Sequence, residues 1–149
     1  MNYEWVGNIE SDGLRIVKLS SYNWNLIDKN DNLVFKNNYY WIYNLEDDEL
    51  RIIKLSFYQY NLIDNNENLI CKENYYSIYN LEEDRLRIIR VTEDEFNLID
   101  SNGNLILKNN ANNISWCYKS DNRRIDNKLF NYKTFLKQKL MKNLLDKNN

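Results

Sequence analysis

Short apolar runs rich in β-branched residues recur along the chain, and polar segments rich in Asn and Asp separate them. The clearest run spans residues 14–19, and closely similar runs span 50–55 and 86–91. A second run begins at Asn25, Asn61 and Asn97, and a third follows a few residues later. Runs of this length and composition are typical of β-strands. The pattern predicts three short strands in each segment, with a fourth short strand near residues 75–79.

All of these runs return at a constant offset of 36 residues, so the chain contains an internal repeat. The units cover residues 3–38, 39–74 and 75–110. A fourth, incomplete unit begins near Ala111, and the β-repeat domain is predicted to span residues 1–118. No single unit can bury its own apolar residues, so we expect the units to stack on one another.

Polar turns join the second and third apolar runs of each unit, at residues 28–32, 64–68 and 100–104. Asp and Asn tolerate left-handed backbone, and the Asn102-Gly103 pair is a strong hairpin signal. The sequence therefore predicts an all-β repeat array of three 36-residue units with short antiparallel strands, solenoid-like or closed. A compact pseudo-three-fold β-barrel or trefoil-like fold is the alternative.

The C-terminal segment 119–149 has a different pattern and is predicted to form a basic, amphipathic α-helix that caps the array. Apolar residues fall on one face at spacings of three and four, starting at Leu129. Nine Lys or Arg against three Asp make this segment basic, whereas the rest of the chain is acidic. Its helix could cap the array, dimerise or bind an anionic partner such as nucleic acid. The secondary basic patch consists of Arg123, Arg124, Lys133 and Lys137.

The repeat resembles the WG-repeat family over about residues 3–110. That family's unit reads aromatic-Gly-aliphatic-Ile-Asp, then a polar turn and two or three aliphatic residues. The matching segments are residues 24–28, 60–64 and 96–100. Asn stands in place of the motif glycine in every unit, which we expect to be a mild change because Asn also accepts positive φ. The family's usual prolines are absent. The resemblance implies a β-rich binding scaffold.

Composition argues against catalysis and against a cofactor. The chain has no histidine, which removes the usual general base and the commonest metal ligand. The two cysteines have no metal or redox spacing. Asp28, Asp64 and Asp100 recur in loops that lack the glycine and glutamate of a calcium loop, so they are interpreted as turn residues. With neither a signal peptide nor a membrane-length apolar run, the expected location is cytoplasmic.

Two charged positions recur in register, Glu10, Glu46 and Glu82 with Arg15, Arg51 and Arg87. They could form ion pairs between units. The expected interpretation is solvated charges that contribute less than about 1 kcal/mol each.

Aromatic residues are dense, with 12 Tyr, 4 Trp and 5 Phe, and these types predominate at protein-binding hot spots. The predicted function is a non-enzymatic protein-binding module, in a specific form a small phage or mobile-element inhibitor that docks on a host or defence protein. The alternative is a module that binds carbohydrate or a cell-surface ligand through Tyr and Trp. The predicted binding residues are Tyr40, Trp41, Tyr43, Glu46, Asp47, Asp48, Tyr76 and Tyr79.

Overall fold

A computed structural model describes residues 2–112, which form an all-β array. Strands β1–β3 form the first antiparallel sheet, β4–β6 the second, and β7–β10 the third. The predicted C-terminal helix and the basic patch within it lie outside the described residues. The strands are β1 (Trp5–Val6), β2 (Arg15–Ser20), β3 (Asn23–Ile27), β4 (Trp41–Ile42), β5 (Arg51–Ser56), β6 (Gln59–Ile63), β7 (Ser77–Ile78), β8 (Arg87–Arg90), β9 (Glu95–Ile99) and β10 (Ala111–Asn112).

Each unit is built on one long hairpin with a two-residue strand along its edge. In the first unit, β2 pairs with β3 and β1 pairs with the other edge of β2. The hairpin tips of the first two units place Tyr22 and Tyr58 at positive φ, 62° and 59°. The short strand expected near residues 75–79 is present as β7, and β1 and β4 are its counterparts.

The prediction of a third strand in each unit is wrong. In that segment each unit forms one isolated β-bridge to its second strand, and the bridging residues are Leu33, Leu69 and Leu105. A buried asparagine side chain takes over the role of a strand. The Asn25 amide nitrogen donates to the Phe35 carbonyl at 3.0 Å, and its oxygen accepts from the Phe35 N–H at 3.0 Å. Asn61 and Asn97 make the same pair of bonds to residues ten positions further on.

These asparagines occupy the position of the glycine in the WG-repeat motif, and the expectation that they replace it by adopting positive φ is wrong. None of them is among the residues of positive φ in the described chain. They lie within β3, β6 and β9 and are fully buried. A buried amide that satisfies a backbone N–H and a backbone C=O removes a large desolvation cost. Asparagine therefore stabilises the third segment of each unit.

The units stack in sequence order and share their cores. Tyr39, at the start of the second unit, exchanges two backbone hydrogen bonds with Trp24 of the first, at 2.8 and 2.9 Å. One core cluster joins Ile16 and Leu26 of the first unit to Ile53 and Ile63 of the second. An equivalent cluster joins the second and third units. Within residues 2–112 the three sheets do not close into a barrel.

Ion pairs span each junction between units, joining carboxylates of one unit to a buried arginine of the next. Glu46 and Asp48 of the second unit bind Arg87 of the third, with nitrogen–oxygen distances of 3.1 and 2.6 Å. Glu10 and Asp12 of the first unit bind Arg51 of the second in the same way. Both guanidinium groups are fully buried, so the expectation of solvated charges is wrong at these junctions.

Candidate functional site

An aromatic cluster lies at the hairpin tips, and it is called the tip cluster here. The rings of Tyr22 and Tyr40 are stacked with centroids 4.2 Å apart, and Tyr58 and Tyr76 are stacked at 4.4 Å. Phe57 lies 5.1 Å from Tyr40 and connects the two pairs. The equivalent residues of successive units therefore form a row of rings along one edge of the array.

Two cations lie over the faces of these rings. The Lys54 ammonium is 4.7 Å from the Phe57 centroid and 5.3 Å from that of Tyr40. The Arg90 guanidinium is 4.7 Å from the Tyr76 centroid. Cation–π contacts of this kind are each worth about 0.5–1 kcal/mol at exposed sites. They hold the tip cluster together and occupy faces that an incoming ligand would otherwise use.

A second aromatic surface is concave and is called the tryptophan groove here. It has a volume of about 760 Å³ and lies where the first unit meets the second. Trp24 is buried in it, whereas Trp5 and Trp41 are 50% and 42% exposed. The Trp24 ring lies 5.7 Å from Trp5 and 4.3 Å from Trp41, so the three indoles are in contact. The lining residues are Glu4, Trp5, Ile16, Lys18, Trp24, Trp41, Ile42, Tyr43 and Asn44.

Local sequence explains why these indoles converge. Trp5 and Trp41 occur at the same position of successive units, each in the two-residue edge strand. Trp24 is on β3, and it bridges to Tyr39, two residues before β4 begins. The junction between units therefore brings one tryptophan from each short strand against the same buried ring. A salt bridge of 3.4 Å between Lys18 and Glu4 lies beside them.

The predicted binding residues are divided among several surfaces. Tyr40 and Tyr76 belong to the tip cluster, whereas Trp41 and Tyr43 line the tryptophan groove. Adjacent residues of an extended segment point to opposite sides, which separates Tyr40 from Trp41. Tyr79 is partly buried against the core of the third unit.

The three predicted acidic residues do not form one exposed patch. Glu46 and Asp48 are bound to Arg87, and Asp47 alone remains exposed. Burial alone would raise the pKa of Asp48, but hydrogen bonds from Arg87 and Ser101 and the arginine charge hold it below 3.8. The same balance at Arg51 lowers the pKa of Asp12. These carboxylates are therefore charged parts of the fold.

Sequence reasoning missed several exposed aromatic residues, namely Trp5 in the groove and Tyr22, Phe57 and Tyr58 at the hairpin tips. For Trp5 a signal existed, since it aligns with Trp41 at the repeat offset. For the tip residues the signal was the turn between the first two runs, where side chains point into solvent.

Among residues 2–112, no group of three acidic or cysteine side chains is placed to hold a metal ion. The Asp64 carboxylate accepts the N–H groups of Asn66 and Asn68, as turn residues do. No helix long and apolar enough to span a bilayer occurs within that range. Burial raises the pKa of the Cys71 thiol to about 11.

Comparison with known proteins leaves the family open. No protein-family model and no curated protein matches the chain. The structure is similar to a crystal structure of HIRA(644-1017), with 8% sequence identity and a TM-score of 0.41. The match covers 70% of this chain and only 38% of that one. The resemblance to WG repeats thus depends on the sequence motif alone.

Proposed function

We propose that the chain is a non-enzymatic protein-binding module and that the tryptophan groove receives its partner. One observation carries this proposal. The indoles of Trp5 and Trp41 stay about half exposed on the rim of a groove whose floor is buried Trp24. Exposed tryptophan in a concave apolar site is typical of the energetic centre of a protein interface.

The groove is also rigid. Trp24 is inside β3, and Trp41 is on β4, which pairs with β5 in register. Rings held in this way lose little conformational entropy when a ligand docks. The floor is apolar at Ile16 and Ile42, and the rim carries the Lys18–Glu4 pair. These features favour a partner segment that presents an apolar or aromatic side chain flanked by polar groups.

Fewer acidic side chains are available to attract a partner than the sequence predicted. Because Glu46 and Asp48 are bound to Arg87 and partly buried, we assign long-range attraction of a basic partner chiefly to the exposed Asp47. Replacing Asp48 would disrupt the fold, so it cannot report on binding. An exposed rim charge acts mainly on the association rate.

The test begins with affinity capture from a lysate of the native host and mass spectrometry. The wild type, Trp41→Ala and the control Tyr58→Ser are compared, since Tyr58 is also an exposed aromatic residue but lies in the tip cluster. The partner should be retained by the wild type and the control and lost by Trp41→Ala. With purified partner, Trp41→Ala should raise Kd about 30-fold, mostly through faster dissociation.

Salt dependence completes that test. Asp47→Lys should slow association, and more at low salt than at high salt, because exposed charges are screened. If Trp41→Ala captures the same proteins and they dissociate at the wild-type rate, the groove is not the interface.

The inhibitor role is a narrower form of the same proposal. An acidic array without an evident catalytic set is compatible with a phage or mobile-element protein that docks on a host or defence protein. The genes encoded beside it are the test, since nuclease or phage structural genes there would support this role.

Carbohydrate binding is the second candidate, and one observation favours it. The exposed indoles of Trp5 and Trp41 are flanked by Glu4, Lys18 and Asn44, whose polar groups could bond hydroxyls. A glycan array decides between the candidates. Binding of a glycan that Trp5→Ala and Trp41→Ala both abolish would favour this function over a protein partner.

A further inference from the structure

The junction between the first and second units contains a built receptor for an acidic turn. The Arg51 guanidinium donates to Glu10 at 2.6 Å and to Asp12 at 2.9 Å. The Leu45 N–H donates to the other oxygen of Glu10 at 2.7 Å, and the Asn65 amide donates to Asp12 at 3.3 Å. One arginine, one backbone N–H and one polar side chain thus bind a Glu-x-Asp sequence.

The next junction repeats this receptor. Arg87 donates to Glu46 at 3.1 Å and to Asp48 at 2.6 and 2.8 Å. The Leu81 N–H donates to Glu46 at 2.6 Å, and the Ser101 hydroxyl donates to Asp48 at 2.7 Å. Two independent copies therefore define what the receptor recognises.

The first unit carries the same receptor elements with no acidic turn from residues 2–112 bound to them. At the repeat offset, Arg15 corresponds to Arg51, Ile9 to Leu45, and Lys29 to Asn65. Arg15, Ile9 and Lys29 line one pocket of about 460 Å³. Among residues 2–112, no carboxylate forms an ion pair with Arg15, and no acceptor is bonded to the Ile9 N–H.

Apolar exposure points to the same surface. Val6 is 44% exposed, whereas Ile42, its counterpart in the second unit, is 2% exposed. Ile9 is 62% exposed, and its counterpart Leu45 is half-buried. The residues that a preceding unit covers in the second unit are thus uncovered in the first.

We infer that this pocket, called the Arg15 socket here, binds a Glu-x-Asp turn presented by another protein. Lys29 places an ammonium group where the two internal copies have the neutral side chains of Asn65 and Ser101. An ammonium beside the aspartate would add a second cation, in addition to the arginine, that the internal junctions lack. Asp28 and Asp31 also line the pocket, and the Asp28 carboxylate already accepts the N–H groups of Asn30 and Asn32.

The shape of the bound turn is part of the recognition. In each internal copy the residue after Asp closes a turn, with Gly13 and Glu49 donating their N–H groups to Glu10 and Glu46. That residue has positive φ, 82° at Gly13 and 63° at Glu49. The preferred ligand is therefore Glu-x-Asp-Gly, since glycine adopts this conformation without strain.

The experiment uses a cyclic peptide containing Glu-Ser-Asp-Gly, the sequence of residues 10–13, titrated into the isotope-labelled full chain. We expect amide shifts at Ile9 and around Arg15 and Lys29. Arg15→Gln should raise the Kd for the peptide at least tenfold, and so should replacing the peptide's Glu and Asp by Gln and Asn. Arg85→Gln is the matched control, because Arg85 is an exposed arginine away from the socket, and it should bind as the wild type does. Lys29→Glu, at an exposed position, should also weaken binding.

Three results would overturn the inference. One is equal binding of the neutral peptide, and another is unchanged binding by both Arg15→Gln and Lys29→Glu. The third is self-association in sedimentation experiments that Arg15→Gln abolishes, which would make a second copy the occupant. Trp41→Ala should leave peptide binding unchanged, so a failure of the tryptophan groove and a failure of the Arg15 socket are distinguishable.

Discussion

Replacing Arg87 by alanine should destabilise the protein far more than an ordinary surface change. Arg87 is fully buried and donates four hydrogen bonds to two carboxylates. Its removal leaves Asp48, whose side chain is 3% exposed, and Glu46, which is 15% exposed, without a counter-charge.

The expected loss can be bounded from these contacts. Breaking a buried ion pair by removing one partner typically costs about 3–5 kcal/mol. Some compensation remains, since Asp48 keeps the Ser101 hydroxyl and Glu46 keeps the Leu81 N–H. We therefore expect a loss of about 3 kcal/mol, a large share of the 5–15 kcal/mol typical of a folded domain. Because the pair crosses a junction, unfolding should also become less cooperative.

Arg15→Ala is the matched control, since it is the same substitution at the equivalent position of the first unit. Arg15 forms no ion pair within residues 2–112, so its replacement should cost less than about 0.5 kcal/mol. Urea unfolding followed by circular dichroism gives both values. Hydrogen exchange then shows whether Arg87→Ala exposes the third unit before the first.

A double-mutant cycle separates the ion pair from lost packing. The double variant Arg87→Ala/Asp48→Asn should lose less stability than the sum of the two single variants, because one of the two orphaned charges is removed. Equal losses for Arg87→Ala and Arg15→Ala, or strictly additive losses in the cycle, would refute the reasoning.

Three further predictions concern the buried asparagines, acid stability and metal. Asn61→Ala should lower the free energy of unfolding in urea by about 3 kcal/mol, because the buried Cys71 N–H and C=O lose their partners. The control Asn23→Ala, at an exposed position, should be nearly neutral, and equal losses for the two variants would contradict the reasoning. The fold lowers the pKa values of Asp12 and Asp48 from their ordinary value of 3.8, so the stability that these carboxylates contribute is present above that pH and is lost as the pH falls below it. The midpoint of urea unfolding should therefore fall at acid pH. In Asp48→Asn this fall, measured from the variant's own midpoint at neutral pH, should be smaller. Calcium should leave the melting temperature unchanged, since both Asp64 oxygens accept hydrogen bonds within the turn, and a rise that depends on concentration would show a site.

The repeat and its strands were predictable because their signals are local. Apolar runs and Asp-Asn turns are visible in short segments of sequence, and comparing these segments shows the offset of 36 residues. The β2–β3 hairpin and its counterparts appear where those runs lie. The third strand was not predictable in the same way. Its bonding partner is a side chain ten residues earlier, and a run such as Leu69 to Cys71 has the same composition in either arrangement.

The candidate site was harder to predict because it depends on contacts between units. The recurrence of the Glu and Arg positions could not show that Arg51 and Arg87 pair with the unit before them, as Arg51 does with Glu10 at a separation of 41 residues. Burial, which makes that pair structural, is a property of the stacked array. Trp24 and Trp41 likewise meet only because Tyr39 pairs with β3 at the junction.

The junctions also give the array a direction that bears on how such a protein can change in length. Each unit offers an acidic turn on one side and an arginine on the other, and the two described junctions use the same chemistry. Deleting residues 39–74, or duplicating them, would place Glu10 and Asp12 against an arginine in the same register, since Arg87 occupies the position of Arg51. Unequal recombination at the repeat length can therefore add or remove a whole unit and leave every remaining contact surface with its complement.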